Sequence, residues 1–490
     1  MSKKVIVIGG GVSGLSAAIY ARRSGFDVTL CEQHSIVGGM CTSWRRKGYL
    51  FEGAIHWLTG SSPKTQTYQL WKETGALNDN IKIYLHDIFR SIEWEGKILH
   101  LYRSIDKTAR HLIELSPADE HEIRKLVKMV KAFTRMEMPV MDIKGVKVRG
   151  DPKRMTLGSL YKMIPALMIF AKISKFTCDD YLKRFKHPGI RILLKIIPSG
   201  YSASSIIFTI ATLEAGDGGY PEGGSLAMTE RMAQTFKGLD GKLLLNTKVK
   251  KVEIENGAVT GVKLENETLN ADAVIVTQET IAALGSLFDA PPRDAWLQEL
   301  REKTKPAVCA HISMGIRAQL PEIIPVWQLV EPIKYAGTDI TEIGFGNYAV
   351  YEGYAPKGCA ALTTALMGDT YDFWKKAKED GRYDEEKRAL AEQIKAAVYR
   401  KYPQTEGNIE VIDIATPLTY ERYTGAWHGS WMTIQGPGDK METYPGAVDS
   451  VHGLYFSGHR IMPPGGHPSA LAVGRMAAQM VCRQFDTVFV

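Results

Sequence analysis

Three histidines stand among glycines and prolines near the two ends of a 490-residue chain. His56 lies in "FEGAIHWLTG"; His459 and His467 lie in "SGHRIMPPGGHPSALAVGR". Imidazole is the side chain whose ordinary pKa falls between pH 5 and 8, so these three are the candidate catalytic groups. Signatures of other catalytic chemistries are missing: the chain has no Gly-x-Ser-x-Gly, no P-loop lysine motif and no HExxH. Its six cysteines, Cys31, Cys41, Cys178, Cys309, Cys359 and Cys482, are scattered with no CxxC pair. That suits reduced thiols in a cytoplasm and argues against structural zinc, so no metal is expected.

Glycines announce a second kind of chemistry. "KVIVIGGGVSGLSAAIYARRSGFDVTLCEQ" reads as strand, turn, helix, strand. Val5 to Ile8 is a continuous β-branched run, the pattern of a parallel strand buried on both faces. Gly9, Gly11 and Gly14 form GxGxxG: the first permits a tight turn, the second lets backbone approach a pyrophosphate, the third lets helix pack on strand. Ser13 sits in the same turn and joins them as a candidate cofactor contact. The second strand ends at Glu32, 18 residues after Gly14, where an acid accepts hydrogen bonds from ribose hydroxyls. Together these predict a bound adenine dinucleotide.

The residues after Glu32 separate the possible dinucleotides. A second diglycine, Gly38-Gly39, comes six residues later, and Met40 stands next to it. This resembles the signature after the second strand in two-dinucleotide-binding flavoproteins of the amine oxidase and phytoene desaturase type. Their usual third residue is arginine, and Met40 departs from it. The resemblance continues through "YPEGGSLAMTERMAQTFKGLDGKLLLNTKVKKVEIENGAVTGVKL", "LNADAVIVTQE", "YAPKGCAALTTALM" and "TPLTYERYTGAWHGSW". It ends with "GLYFSGHRIMPPGGHPSALAVGRMAA", similar to that family's last cofactor motif.

The resemblance implies FAD, held by Gly9, Gly11, Ser13, Gly14, Glu32, Gly38, Gly39 and Met40 at the nucleotide end, with the Val249 backbone at adenine. It implies Gly53 and Ala54 beside the flavin, with His56 and Trp57 lining the ring or the mouth of a tunnel. Gly458, His459, Gly466 and Ala470 belong to the last motif, and a helix starting near Pro468 points its positive end at the flavin. His459, Arg460 and His467 depart from the family's smaller residues: they put titratable groups near the ring, contact FAD phosphate or ribose, or cap the loop.

The net charge of +7 is unevenly placed. Residues 142–195 hold 13 Lys or Arg against 4 Asp or Glu, a balance of +9. Within them Leu157, Leu160, Tyr161, Ile164, Met168 and Ala171 follow helical spacing, flanked by Lys162, Lys172 and Lys175, with Pro165 expected to kink or restart the helix. Two readings stay open: an interfacial helix on an anionic membrane, or a helix covering an apolar tunnel. Nucleic acid is not expected, because the charge interleaves with aliphatic residues.

The expected fold is α/β, with a discontinuous Rossmann-like FAD domain (1–80, 220–290 and 450–490) and a mixed α+β substrate domain (81–219 and 291–449). The resemblance implies hydride transfer to or from a hydrophobic, polyene or isoprenoid-like substrate, by a desaturase, saturase or isomerase. Two other readings are a flavin amine oxidase and a noncatalytic flavin-binding, membrane-associated protein. With no second GxGxxG, a quinone or oxygen is the expected electron partner. No window of 18 uncharged apolar residues occurs, so the expected setting is cytoplasmic, peripheral at the inner face of the membrane.

Overall fold

The run Val5–Ile8 has no polar face to offer water, and it becomes the centre of a sheet covered on both sides. The computed structural model describes residues 2–134, 136, 140–151, 157–440 and 442–490. Five strands form this sheet: β1 (Lys4–Ile8), β2 (Asp27–Cys31), β3 (Lys242–Leu244), β4 (Ala273–Val276) and β5 (Leu454–Phe456). Their spatial order is β5-β4-β1-β2-β3, and every neighbouring pair is parallel. The sheet gathers strands from both ends and the middle of the chain.

Three helices bear on the site: α1 (Val12–Arg23), α2 (Leu157–Ile173) and α3 (His467–Gln484). α1 leaves β1 through the glycine turn and is buried from Val12 to Ala21. α3 crosses it closely. A Cβ on Gly474 would lie 2.4 Å from the Ser13 carbonyl oxygen, so only glycine permits the crossing. Beside it the Ser16 hydroxyl donates to the Leu471 carbonyl at 2.8 Å. The last helix is thereby locked onto the first.

A second, antiparallel sheet has the order Gly346–Asn347, Ala360–Met367, Cys309–Ile316, Ile409–Ala415. Cys309–Ile316 is buried along its whole length. Elsewhere Asn256 and Gly257 both take positive φ in the turn of a hairpin, as their sequence predicts.

The basic stretch 142–195 is not one helical segment. Residues 142–151 dock on the C-terminal element: Asp142 accepts from Arg475 at 2.5 Å and from Gln479 at 2.6 Å, and Phe489 exchanges backbone hydrogen bonds with Lys147 and Arg149. The helix proper is α2, which runs through Pro165 without stopping. Pro165 lies on its exposed side, where water can satisfy the carbonyl that proline leaves unpaired. The helix carries apolar residues on two sides. Tyr161, Ile164, Met168 and Ala171 face outward, while Ala166 and Ile173 are buried beneath. The side chains of Leu157, Leu160 and Lys162 lie outside the described residues.

Candidate active site

A single cavity of about 1730 Å³ runs from the glycine turn after β1 to the underside of α2. It exceeds the roughly 300–1,000 Å³ usual for one small ligand, so it has room for a dinucleotide and more. Gly9, Gly11, Ser13, Glu32, Gly38, Gly39, Met40, Gly53, Ala54, His56, Val249, Gly458, His459, Gly466, His467 and Ala470 all line it. Gly14 does not line it and has a packing role instead: a Cβ there would meet the Gly9 carbonyl oxygen at 1.9 Å.

At the nucleotide end the backbone does the shaping. Gly9 takes φ +104°, and a Cβ on it would press on the Thr277 hydroxyl at 2.9 Å. Gly38 takes φ +123° and leaves no space for a side chain against the Cys41 carbonyl, 2.5 Å away. Its N–H donates to the Gly10 carbonyl at 2.9 Å, which folds the second diglycine back on the first turn. Gly11 differs from these. Its φ of −72° suits any residue, and the nearest protein atom to a Cβ would be the Gly38 carbonyl at 3.8 Å. The protein does not require glycine there, whereas a ligand lying against the turn would. The first turn of α1 carries no side-chain cap and no acid, so its N–H groups remain for an anion. Glu32, 6% exposed, accepts from the backbone N–H of Gly10 at 2.7 Å and of His34 at 2.9 Å. A carboxylate has about four lone-pair sites, so capacity for ribose hydroxyls remains. The Ser13 hydroxyl is engaged with that of Ser457 at 2.7 Å, tying the first motif to the last.

Further along, side chains converge. His56 presents its ring to the cavity, and its Nδ1 lies 2.9 Å from the Tyr348 hydroxyl. Although open to the cavity, the ring is remote from bulk water, and that desolvation lowers its pKa while Glu52 opposes the shift. His467 opens α3 and is held down to about 4 by burial and by His56. His459 is lowered well below the ordinary value by burial, by Arg460 and by His467, and its Nε2 is enclosed without a hydrogen-bond partner. The three histidines are therefore neutral at pH 7.

Arg460 takes the loop-capping role. It is 1% exposed; Nε donates to Glu279 at 2.9 Å, and the other two nitrogens reach the Met432 carbonyl, Thr433 and Ser430. All three guanidinium nitrogens are engaged within the protein, so the side chain fastens the last loop to residues 430–433 instead of meeting a phosphate.

Sequence reading passed over three groups. His311, 2% exposed in the strand Cys309–Ile316, also lines the cavity. Burial, with His56 nearby, depresses it to about 3, and its Nε2 has no hydrogen-bond partner. In "CAHISMGI" it reads as one polar residue in an apolar strand, and no local signal marks it. Glu52 is fully buried and accepts from the N–H groups of Ala54, Ile55 and Ser225 and the hydroxyls of Ser225 and Tyr220. It holds the Gly53-Ala54 turn in shape, and a Cβ on Gly53 would lie 2.6 Å from the Thr42 carbonyl. An acid inside the apolar run "YLFEGA" was a visible signal. Tyr348 lies 293 residues from Ile55, whose carbonyl its hydroxyl meets, and only the fold brings them together.

Sheet order, glycine turns and an open anion-facing helix end define an α/β protein that binds an adenine dinucleotide. The model of the family described as flavin containing amine oxidoreductase matches residues 12–482, and the chain belongs to that family. A flavin in a dinucleotide site is FAD, and FAD is the cofactor. Among curated relatives, a phytoene desaturase (lycopene-forming) from Paracoccus sp. is 27% identical over 59% of this chain and 55% of its own length. A 4,4'-diaponeurosporene oxygenase from Staphylococcus aureus is 25% identical over 66% and 65%. The matched stretch thus spans less than two thirds of these relatives. Among solved structures, wild-type putrescine oxidase bound to putrescine has a TM-score of 0.60 at 16% identity, covering 98% of this chain and 99% of that one. Cyclohexylamine oxidase from Brevibacterium oxydans has 0.60 at 13%, covering 99% and 100%. These likenesses concern the fold.

Proposed function

We propose that the protein is an FAD-dependent oxidoreductase that moves a hydride to or from a hydrophobic, polyene or isoprenoid-like substrate. One observation carries this reading: beyond the histidines the cavity wall turns apolar, with Trp57, Met163, Phe170, Ile196 and Phe208. Burying a long hydrocarbon against such a wall gains about 25 cal/mol per Å². The names of the curated relatives point the same way. FAD supplies reversible two-electron chemistry. The chain's own residues bind, orient and exclude water: the glycine turns and Glu32 hold the nucleotide, and neutral histidines keep the middle of the cavity uncharged. A quinone or oxygen serves as the second electron partner.

The outer face of α2 supports an anionic membrane surface as the place of substrate exchange. Tyr161 (76% exposed) and Met168 (70%) stand out from it beside exposed Lys172 and Lys175, while Met163 and Phe170 of the same helix line the cavity. Among the described residues no helix is long and apolar enough to cross a membrane. Each basic residue near anionic lipid contributes about 1 kcal/mol, screened by salt.

Anaerobic mixing tests the substrate class. Phytoene or 4,4'-diaponeurosporene in anionic liposomes should bleach the FAD absorbance, and putrescine or cyclohexylamine should leave it unchanged. Bleaching by the amines alone would establish an amine oxidase instead. Sedimentation with anionic vesicles at low salt, lost at high salt and in a Lys172→Glu, Lys175→Glu variant, checks the surface. Salt-insensitive binding, or none, would refute it.

A further inference from the structure

One placement of protons satisfies His56, Tyr348 and the Ile55 carbonyl together. The Tyr348 hydroxyl lies 3.2 Å from the Ile55 carbonyl and 2.9 Å from His56 Nδ1. A carbonyl only accepts, so the single hydroxyl proton goes to Ile55. The hydroxyl oxygen then accepts from His56, and Nδ1 carries the imidazole proton. Nε2 keeps its lone pair, on a ring that faces the cavity.

Tyr348 cannot readily leave this position. It is 5% exposed, its ring stacks on Tyr354 at 5.8 Å and meets Tyr220 edge-on at 5.7 Å, and Tyr220 is bonded to the buried Glu52. Burial and Glu52 hold the phenol far above its ordinary pKa, so it does not itself take a proton. The other histidines lack this arrangement. The Nε2 atoms of His311 and His459 are both buried without a hydrogen-bond partner, and among the described residues no hydrogen bond orients the His467 ring.

We infer that His56, through Nε2, is the proton acceptor of the reaction and that Tyr348 is the residue that positions it. The inference rests on the hydride-transfer reading. In the dehydrogenating direction FAD, when bound, would take up one substrate hydrogen with its electron pair as hydride. The neighbouring carbon loses a proton to Nε2, and its C–H electron pair becomes the new C=C bond. His56 becomes an imidazolium, which later releases its proton to water. In the hydrogenating direction imidazolium is the donor. The groups facing His56 are Glu52, which favours its protonation, Tyr348, and the neutral His311 and His467.

Two measurements test this. Long-range 1H–15N spectra of the holoenzyme labelled on histidine, with His56→Asn for assignment, should show His56 at pH 7.5 as the Nδ1–H tautomer. Tyr348→Phe should shift it to a mixture. A wild-type Nε2–H tautomer, or one unmoved by Tyr348→Phe, would overturn the inference without any substrate. With phytoene in liposomes, His56→Asn keeps a donor toward Tyr348 but no base. It should slow flavin reduction about 10²–10⁴-fold, leave the flavin spectrum intact, and abolish the acid limb of the pH–rate profile. An acid limb that survives in His56→Asn would place the base elsewhere. If neither phytoene nor 4,4'-diaponeurosporene reduces the flavin, the dehydrogenating reading on these polyenes fails, and the tautomer spectra still decide whether Nε2 is the free acceptor.

Discussion

The two ends of the cavity are made in opposite ways. At the nucleotide end, function comes from absent side chains: glycines pressed against carbonyls, a helix terminus left uncapped, and one acid held by two backbone N–H groups. At the histidine end, the cavity is shaped by side chains that desolvation holds neutral, drawn from 56, 311, 459 and 467. A site made of backbone is written in contiguous sequence. A site made of side chains needs the tertiary fold before its members meet.

The contrast breaks most visibly at Gly14. Gly14→Val puts carbon where the Gly9 carbonyl oxygen already stands, at 1.9 Å, and should yield no soluble, yellow protein. Recovery of FAD-loaded protein in normal amounts would show that this turn yields more than its packing implies.

The next effect belongs to the histidine end. His311 has a folded-state pKa of about 3, below its ordinary 6.5. The unfolded chain therefore binds the proton first as pH falls. Stability is undiminished above pH 6.5 and declines through the window down to pH 3, by about 4–5 kcal/mol in all. Urea midpoints at pH 7 and 4.5 should differ more for wild type than for His311→Gln. Equal slopes would mean that the ring is solvated.

Where the last loop is fastened, removing one partner of the buried Arg460–Glu279 pair leaves the other charge unpaired. Arg460→Met should cost about 3–5 kcal/mol in urea unfolding, partly recovered in the double variant with Glu279→Gln. A loss below about 1 kcal/mol would show that the guanidinium is solvated instead.

Glu32→Ala should weaken FAD binding by about 1.5–3 kcal/mol, the worth of hydrogen bonds to a charged acceptor. Dialysis with fluorescence of released FAD measures it. Full retention would remove Glu32 from the ribose.

The smallest effect on the protein itself is the sharpest contrast within one turn. Gly11→Ala should leave the stability of the flavin-free protein within about 0.5 kcal/mol, since nothing in the protein crowds its Cβ. It should nevertheless lower FAD affinity at least about tenfold, because the backbone must approach the pyrophosphate closely. If Gly11→Ala destabilises the apoprotein as Gly14→Val does, the division between packing glycines and ligand glycines collapses.

Much of the nucleotide end was legible from local residues. Val5–Ile8, the glycine turn, Glu32 and the Asn256-Gly257 hairpin follow from short-range sterics and alternation, so they appear in the structure where the sequence places them. α2 was legible as a helix but not in its orientation. Leu157, Tyr161, Ile164 and Met168 form an apolar stripe, yet Met163, Ala166, Phe170 and Ile173 form another, and periodicity alone does not say which one the core will cover. For Arg460 the sequence allows a titratable group near the ring, a contact to FAD phosphate or ribose, or a loop cap, and the loop cap is what forms. Its actual partners, Glu279 and residues 430–433, are distant in sequence.

By itself, the sequence determined the turns, the dinucleotide signature and the family, because each rests on which backbone angles and close approaches a residue type permits. The tertiary structure alone decided which histidines are neutral and how they are oriented. It brought Tyr348 to His56, set His311 against the same cavity, and enclosed Glu52 in five hydrogen bonds. Protonation and tautomer depend on desolvation and on partners hundreds of residues away, and those exist only once the two sheets and α3 have closed around the cavity.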